Sequence, residues 1–316
     1  MFDPIVEKFL GKKNPGTRSI YRAGIIAFAE FYKPQGSIPD FLDRLEADRG
    51  KGWRENKHIA SDIMTDFVEW LQTEKKFSRK TTRAYAGAIQ QFAKFNDLPF
   101  SIRDTKLPVS NPDLKKFNWT GSDVVRFFNL FEDPMYRSFG ILIFQSFFDR
   151  STTLELQYSD ISKEYEANLI PLCLDTERFK TGIPFMSFLG QWGVKELHKY
   201  LDTRGALKPE DLLFPTTKQE LSHYFRDAAE TFLKVKFKKD ERSPCGTHSL
   251  RASGSTLARD NLTGDAEHIR AADRYIDFFM GKTVPEQQRV YMSKSRDSWR
   301  ETYRVTVEPF VTPSKF

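Results

Sequence analysis

With only 2 cysteines among 316 residues, a disulfide framework is excluded. Cys173 and Cys245 show no partner pattern, and the chain reads as one from a reducing compartment. Histidine is almost as scarce, at positions 58, 198, 223, 248 and 268. None forms a His-Glu-x-x-His pair. Cys245 and His248 lack two further ligands, so no zinc site is expected. No apolar run reaches the ~18 residues of a membrane span, and no charged n-region followed by an apolar stretch opens the chain. Neither a membrane partner nor a secretory leader is therefore expected. A Gly-rich phosphate loop of the Walker type is missing, so ATP use is not indicated. Low-complexity segments are also lacking. Asp149, Glu155 and Asp160 read more simply as solvated helix-end charges than as a two-metal carboxylate site. No cofactor is expected.

What the chain does have is ordinary globular composition, 29% charged and 39% hydrophobic, at a length that suits two domains. The net charge is +6 and the pI about 9.1. A basic balance suits a polyanionic partner without proving one. Its distribution says more. Residues 1–106 hold 19 Lys+Arg against 14 Asp+Glu, and residues 107–316 hold 30 against 29, so the basic excess lies in the N-terminal third.

That third reads as helical. Phe2 to Leu10 gives a short amphipathic start, broken by Asn14-Pro15-Gly16. Tyr21, Ile25, Phe28 and Phe31 follow Thr17 at helical spacing, as do Ile59, Ile63, Phe67 and Trp70. Lys33 to Asp40, with Pro34, Gly36 and Pro39, predicts a loop. Lys80 to Phe95 repeats the earlier helix: Thr17, Tyr21, Phe28, Ala29 and Phe31 align with Thr81, Tyr85, Phe92, Ala93 and Phe95, and Ser78 stands at an N-cap position. Convergent patterning or a packed pair of similar helices would produce this. The aromatic residues read as core rather than as base-stacking platforms. Leu107 to Phe117, with Pro108, Asn111 and Pro112, is the best linker. Thr120 to Leu130 and Met135 to Phe148 predict helices. Ile170 to Leu174 and Ile183 to Leu189 predict a hairpin around Lys180-Thr181-Gly182, and helical patterns dominate from Gln191 onward.

Several scattered residues carry chemistry. Arg150 follows a buried-looking helix and an aspartate. It reads either as a surface arginine or as a guanidinium fork on a phosphate, which it fits better than an ammonium does. Lys180 at the hairpin tip is either solvated or able to protonate a leaving oxygen. His248 and Arg251 share one face of a helical turn. Histidine accepts a proton near neutral pH, and a second arginine would stabilise the extra charge of a pentacoordinate phosphorus. Tyr291, by default a buried structural tyrosine, starts as a weak nucleophile with a pKa of ~10. It needs cations and a base nearby.

Taken in order, these residues resemble the tyrosine recombinase (phage integrase) family. Its pattern is an arginine, a hairpin lysine, a His-x-x-Arg, a Gly-His, and a tyrosine nine residues later. The matching positions are Arg150, Lys180, His248 with Arg251, Lys282, and Tyr291. Leu154 to Ile161 looks like the family's segment after its first arginine, and Tyr275 to Gly281 is similar to archaeal members. Ser78 to Tyr85, then Phe92 and Phe95, look like the helical core-binding domain. The resemblance thus spans nearly the whole chain. Two positions depart from the pattern. Lys282 replaces the Gly-His histidine and cannot act as a neutral base at pH 7. The acidic residue often found three after the first arginine is Thr153 here, with Glu155 nearby as a structural substitute.

The resemblance implies a mainly α fold with a small antiparallel β-sheet. A helical, SAM-like DNA-binding domain would occupy 1–106, a linker 107–118, and a catalytic domain with a C-terminal tail 119–316. It implies a site-specific recombinase that cleaves and rejoins double-stranded DNA through a 3′-phosphotyrosine, without metal or ATP, and acts as a homotetramer on recombination sites. A cytoplasmic, nucleoid-associated protein of a mobile element fits this. In that scheme Tyr291 attacks, Arg150 and Arg251 clamp, His248 takes the proton, Lys180 protonates the leaving oxygen, and Lys282 contacts the phosphate. Arg79, Lys80, Arg83, Lys115 and Lys116 would meet the DNA backbone. The tail, with Trp299, Tyr303, Val305 and Phe310, would pack either on its own domain or on a neighbouring subunit. Three alternatives stay open: a catalytically weakened DNA-binding protein of the same fold, a relaxase-like or type IB topoisomerase-like strand-nicking enzyme, and a purely structural helical protein.

Overall fold

The computed structural model describes residues 3–49, 59–100, 117, 119–177, 179, 184–238, 243–282 and 295–313. The chain divides into two compact units, Met1–Leu114 and Lys115–Phe316. The fold is mainly α with one two-stranded antiparallel sheet among the described residues.

The first unit contains α1 (Pro4–Gly11), α2 (Pro15–Tyr32), α3 (Ile38–Arg49), α4 (Ile59–Thr73) and α5 (Arg79–Phe95). Asn14-Pro15 starts α2 rather than merely ending α1. The Asn14 side chain accepts from Thr17 N, and Pro15 occupies a first-turn position where no amide hydrogen is needed. Ser78 caps α5 by accepting from Thr81 N. The two repeated helices pack against each other. Phe28 and Phe92 are fully buried, with Tyr21, Tyr85, Phe31 and Phe95 packed around them, so the repeated aromatics form the core.

The expected loop at Lys33 to Asp40 is too long. Helix α3 already begins at Ile38, because Ser37 and Asp40 cap it reciprocally: Ser37 N donates to Asp40 Oδ2 at 2.6 Å and Asp40 N to Ser37 Oγ at 3.4 Å. Pro39 sits in the first turn, where proline is tolerated. Helix α3 as a whole escaped the sequence pattern.

The second unit is built around α7 (Pro134–Ser146), whose residues Ser138 to Ser146 are all buried. A helix apolar on every side must be covered on every side. Its neighbours are α6 (Gly121–Phe128), α10 (Gln191–Asp202), α12 (Thr247–Asp260) and strand β2 (Pro184–Leu189). Strand β1 (Leu172–Glu177) pairs with β2 in register from Leu172↔Leu189 to Glu177↔Pro184. β1 starts two residues later than expected, after Pro171, which has no amide to donate. The unit is completed by α8 (Arg150–Leu154), α9 (Ser162–Glu166), α11 (Lys218–Leu233), α13 (Ala266–Phe279) and α14 (Arg296–Thr306). Phe117, at the end of the expected linker, belongs to this core. Its ring lies edge-on to Trp119 at 4.9 Å and to Phe232 at 5.6 Å.

The tail packs on its own unit. Trp299, Tyr303, Val307 and Val311 are buried there, and Tyr303 Oη donates to the Gln145 carbonyl at 3.1 Å. Buried Gln145 also donates to the Val311 carbonyl and accepts from Gly193 N, so its amide is satisfied. Glu164 adds a charged clasp, accepting from Arg300 Nη2 at 2.8 Å and from Cys173 N at 2.8 Å. No described helix is long and apolar enough to cross a membrane.

Candidate active site

Arg150 is placed by the turn between α7 and α8. Helix α7 ends on Phe147 in the left-handed region, φ +60°, and both Phe147 and Phe148 are fully buried. Two buried rings at a sharp turn fix the direction in which α8 leaves. Asp149 then caps α8: Oδ1 accepts from Ser151 N at 3.0 Å and Thr152 N at 3.1 Å, and Oδ2 accepts from Thr152 Oγ1 at 3.1 Å.

His248 and Arg251 stand in the first turns of α12. Helix α12 can lie against α7 only because residue 254 is glycine: a Cβ there would come within 2.0 Å of the Phe144 carbonyl oxygen. Ser249 accepts from Trp119 Nε1 at 2.8 Å, tying the start of α12 to the start of the unit. Arg251 Nη2 donates to the Met280 carbonyl at 2.6 Å, tying it to the end of α13.

These elements bring Arg150, His248 and Arg251 to one open pocket of about 720 Å³. Its walls also carry Asp149, His223 and Arg226. Arg226 is paired with Glu230 at 3.5 Å, and the Asp149 carboxylate is engaged as the α8 cap. Arg150 and Arg251 on the walls make the pocket suited to an anion. Two arginines and a titratable imidazole around one cavity can hold a phosphate and move a proton beside it.

Of the other sequence-derived residues, four lie outside the described residues and the rest do not line this pocket. Lys282 follows α13 and Gly281, whose φ of +64° favours glycine. Its Nζ pairs with Asp277 Oδ1 at 2.7 Å, and Asp277 is shared with Arg259. Lys282 is not among the pocket-lining residues. Lys180, Tyr291, Lys115 and Lys116 lie outside the described residues. Arg79, Lys80 and Arg83 are exposed at the start of α5 in the first unit. Thr153 is buried, donating to the Asp149 carbonyl at 3.1 Å, and Glu155 is exposed at the end of α8. Glu155 does not take up a structural role toward Arg150.

Sequence reasoning missed α11 as a pocket wall. The signal was present at its start: Thr217 and Glu220 form a capping box, with Glu220 Oε2 accepting from Thr217 N at 2.8 Å. Hydrogen bonds from Thr217 N and from the Thr217 and Thr216 hydroxyls hold the Glu220 carboxyl below its usual range. Nothing in the local pattern, however, says that Ser222, His223 and Arg226 face Arg150.

No protein-family model and no curated protein matches this sequence. Solved structures do resemble it. Lambda integrase bound to DNA matches with a TM-score of 0.53 at 13% identity, covering 92% of this chain and 98% of that one. The Tn1549 transposon integrase in complex with transposon right end DNA matches with a TM-score of 0.51 at 13% identity, covering 89% and 99%. A lambda integrase dimer bound to a core site gives 0.50 at 12% identity, covering 84% and 96%. At such identities the likeness is one of fold: this chain has the fold of the tyrosine recombinases and integrases.

Proposed function

We propose that this chain is a site-specific DNA recombinase that cleaves and rejoins duplex DNA through a phosphotyrosine at Tyr291. The observation that carries the reading is the convergence of Arg150, His248 and Arg251, from α8 and α12, on one pocket within an integrase fold. In the reaction, Tyr291 Oη attacks phosphorus and forms a P–O bond while the P–O5′ bond breaks. Arg150 and Arg251 hold the non-bridging oxygens, whose charge grows in the transition state. His248 takes the phenolic proton, and Lys180 gives a proton to the departing 5′ oxygen. A 5′-hydroxyl from a partner strand then attacks the phosphotyrosine and releases Tyr291. One phosphoester replaces another at each step, so the exchange needs no external energy source.

The partner is duplex DNA, and exchange between two duplexes calls for four copies of the chain. Arg79, Lys80, Arg83, Lys115 and Lys116 would meet backbone phosphates of the N-terminal part's target, and residues 107–118 would link it to the catalytic part. Affinity should then fall steeply with salt. The Lys282–Asp277 pair favours a second reading, a DNA-binding protein with weakened catalysis, because it turns Lys282 toward a carboxylate.

Trapping on nicked, end-labelled duplexes from DNA flanking its own gene separates the two readings. A covalent complex that forms in chelator and is lost in Tyr291→Phe supports the enzyme. DNA binding with no covalent complex at any pH supports the weakened protein.

A further inference from the structure

The arginine clamp is oriented without being neutralised. Arg150 is half-buried, and its Nη1 donates to Ser222 Oγ at 2.8 Å and to the Lys218 carbonyl at 3.5 Å. Ser222 Oγ in turn donates to the same Lys218 carbonyl at 2.7 Å, which fixes the hydroxyl hydrogen and leaves a lone pair facing the guanidinium. Both acceptors belong to the first turns of α11, whose start is held by the Thr217–Glu220 capping box. No carboxylate pairs with Arg150 among the described residues. Thr153 donates its hydroxyl to a backbone carbonyl, and Glu155 is exposed.

We propose that Ser222, with the Lys218 carbonyl, positions Arg150 for its phosphate. The inference rests on the phosphoryl-transfer reading of the pocket. A carboxylate partner would fix the guanidinium equally well but cancel much of its charge at the place where an anion must bind. A hydroxyl and a carbonyl fix one Nη and leave the full charge, with Nε and Nη2, for the non-bridging oxygens. Ser222 touches Arg150 rather than the reacting atoms, so it acts as a positioning residue.

The test measures covalent-complex formation at saturating nicked DNA, beside DNA affinity, in the full-length protein. Ser222→Ala should slow complex formation about tenfold, the scale of one hydrogen bond to a charged group. DNA affinity and melting temperature should stay unchanged, because Ser222 is exposed on the helix surface. Ser222→Thr, which keeps the hydroxyl, should restore the rate. Ser222→Asp should orient Arg150 yet weaken DNA binding by adding a countercharge. Arg150→Ala with Ser222→Ala should be no slower than Arg150→Ala alone, since the serine works only through the arginine. Additive losses, or a wild-type rate in Ser222→Ala, would overturn the positioning role while leaving the enzyme reading intact. If wild type and Arg150→Ala form covalent complex equally, or neither forms any, the phosphoryl-transfer reading falls and this inference falls with it.

Discussion

Trp299→Ala is the perturbation that most sharply probes how the C-terminal helix is held. Trp299 is 2% exposed and lies among three rings of α13: stacked on Phe278 at 4.3 Å, and edge-on to Tyr275 at 5.5 Å and Phe279 at 5.7 Å. Truncating a buried tryptophan costs about 3–5 kcal/mol, because the surrounding rings cannot collapse fully into the space. For a unit of this size each kcal/mol lowers the melting temperature by about 2–4 °C. Scanning calorimetry of the full chain should therefore show one transition falling by roughly 6–20 °C. Val305 on the same helix is 58% exposed, and Val305→Ala should change stability by no more than about 0.5 kcal/mol. A Trp299→Ala melt indistinguishable from that of Val305→Ala would refute the packing argument. The change also has a functional reading, because α14 is capped by Ser295, four residues after Tyr291. Loosening it should lower covalent-complex formation with little change in DNA affinity.

Three further outcomes follow from the same geometry. Gly254→Ala forces a Cβ against the Phe144 carbonyl, so it should cost about 1–3 kcal/mol in a melt and reduce cleavage by shifting His248 and Arg251 away from Arg150. Glu220→Gln should lower the melting temperature at neutral pH. The Glu220 carboxyl is depressed in the folded chain, so its contribution is complete above the ordinary value of 4.5 and disappears as pH falls through the lower folded value. The wild-type and variant melts should therefore converge in acid, and a gap that persists there would contradict the capping account. Burial pushes the thiols of Cys173 and Cys245 up to about 12, so neither should react with a thiol reagent in the native protein at pH 8, and both should react in denaturant. Fast native labelling of either would contradict their burial.

Much of the architecture was legible because it is local. Ser78 accepts from Thr81 N and Thr120 from Asp123 N, side-chain caps that start helices without tertiary context, and the aromatic spacing of α2 and α5 encodes the face each buries. Arg150, His248 and Arg251 were legible as chemistry by residue type and order. Their convergence was implied only by the family resemblance, not by local pattern, since it depends on Gly254 admitting α12 to α7 and on two buried phenylalanines turning the chain before α8. The same limit hid α11. Ser222, His223 and Arg226 look like any polar helix face until Arg150 is seen beside them. Helix α3 was lost because Pro39 reads as a breaker, whereas in a first turn it has no hydrogen bond to forfeit. Lys282 was read toward a phosphate, and the pairing with Asp277, five residues earlier in sequence, became visible only with the turn at Gly281. The tail's choice of its own unit rests on contacts with rings of α13, with Phe188 of β2 and with the Gln145 carbonyl of α7, which no sequence periodicity describes.

The most direct test of the central claim is to map the covalent adduct. Protein trapped on a nicked duplex would be digested with nuclease and protease, and the nucleotide-bearing peptide identified by mass spectrometry. The account expects a single peptide containing Tyr291, modified on the phenolic oxygen by a 3′-linked nucleotide, and its absence when Arg150 or Arg251 is replaced by alanine. An adduct on another side chain, or an adduct at Tyr291 that forms equally well without either arginine, would contradict it.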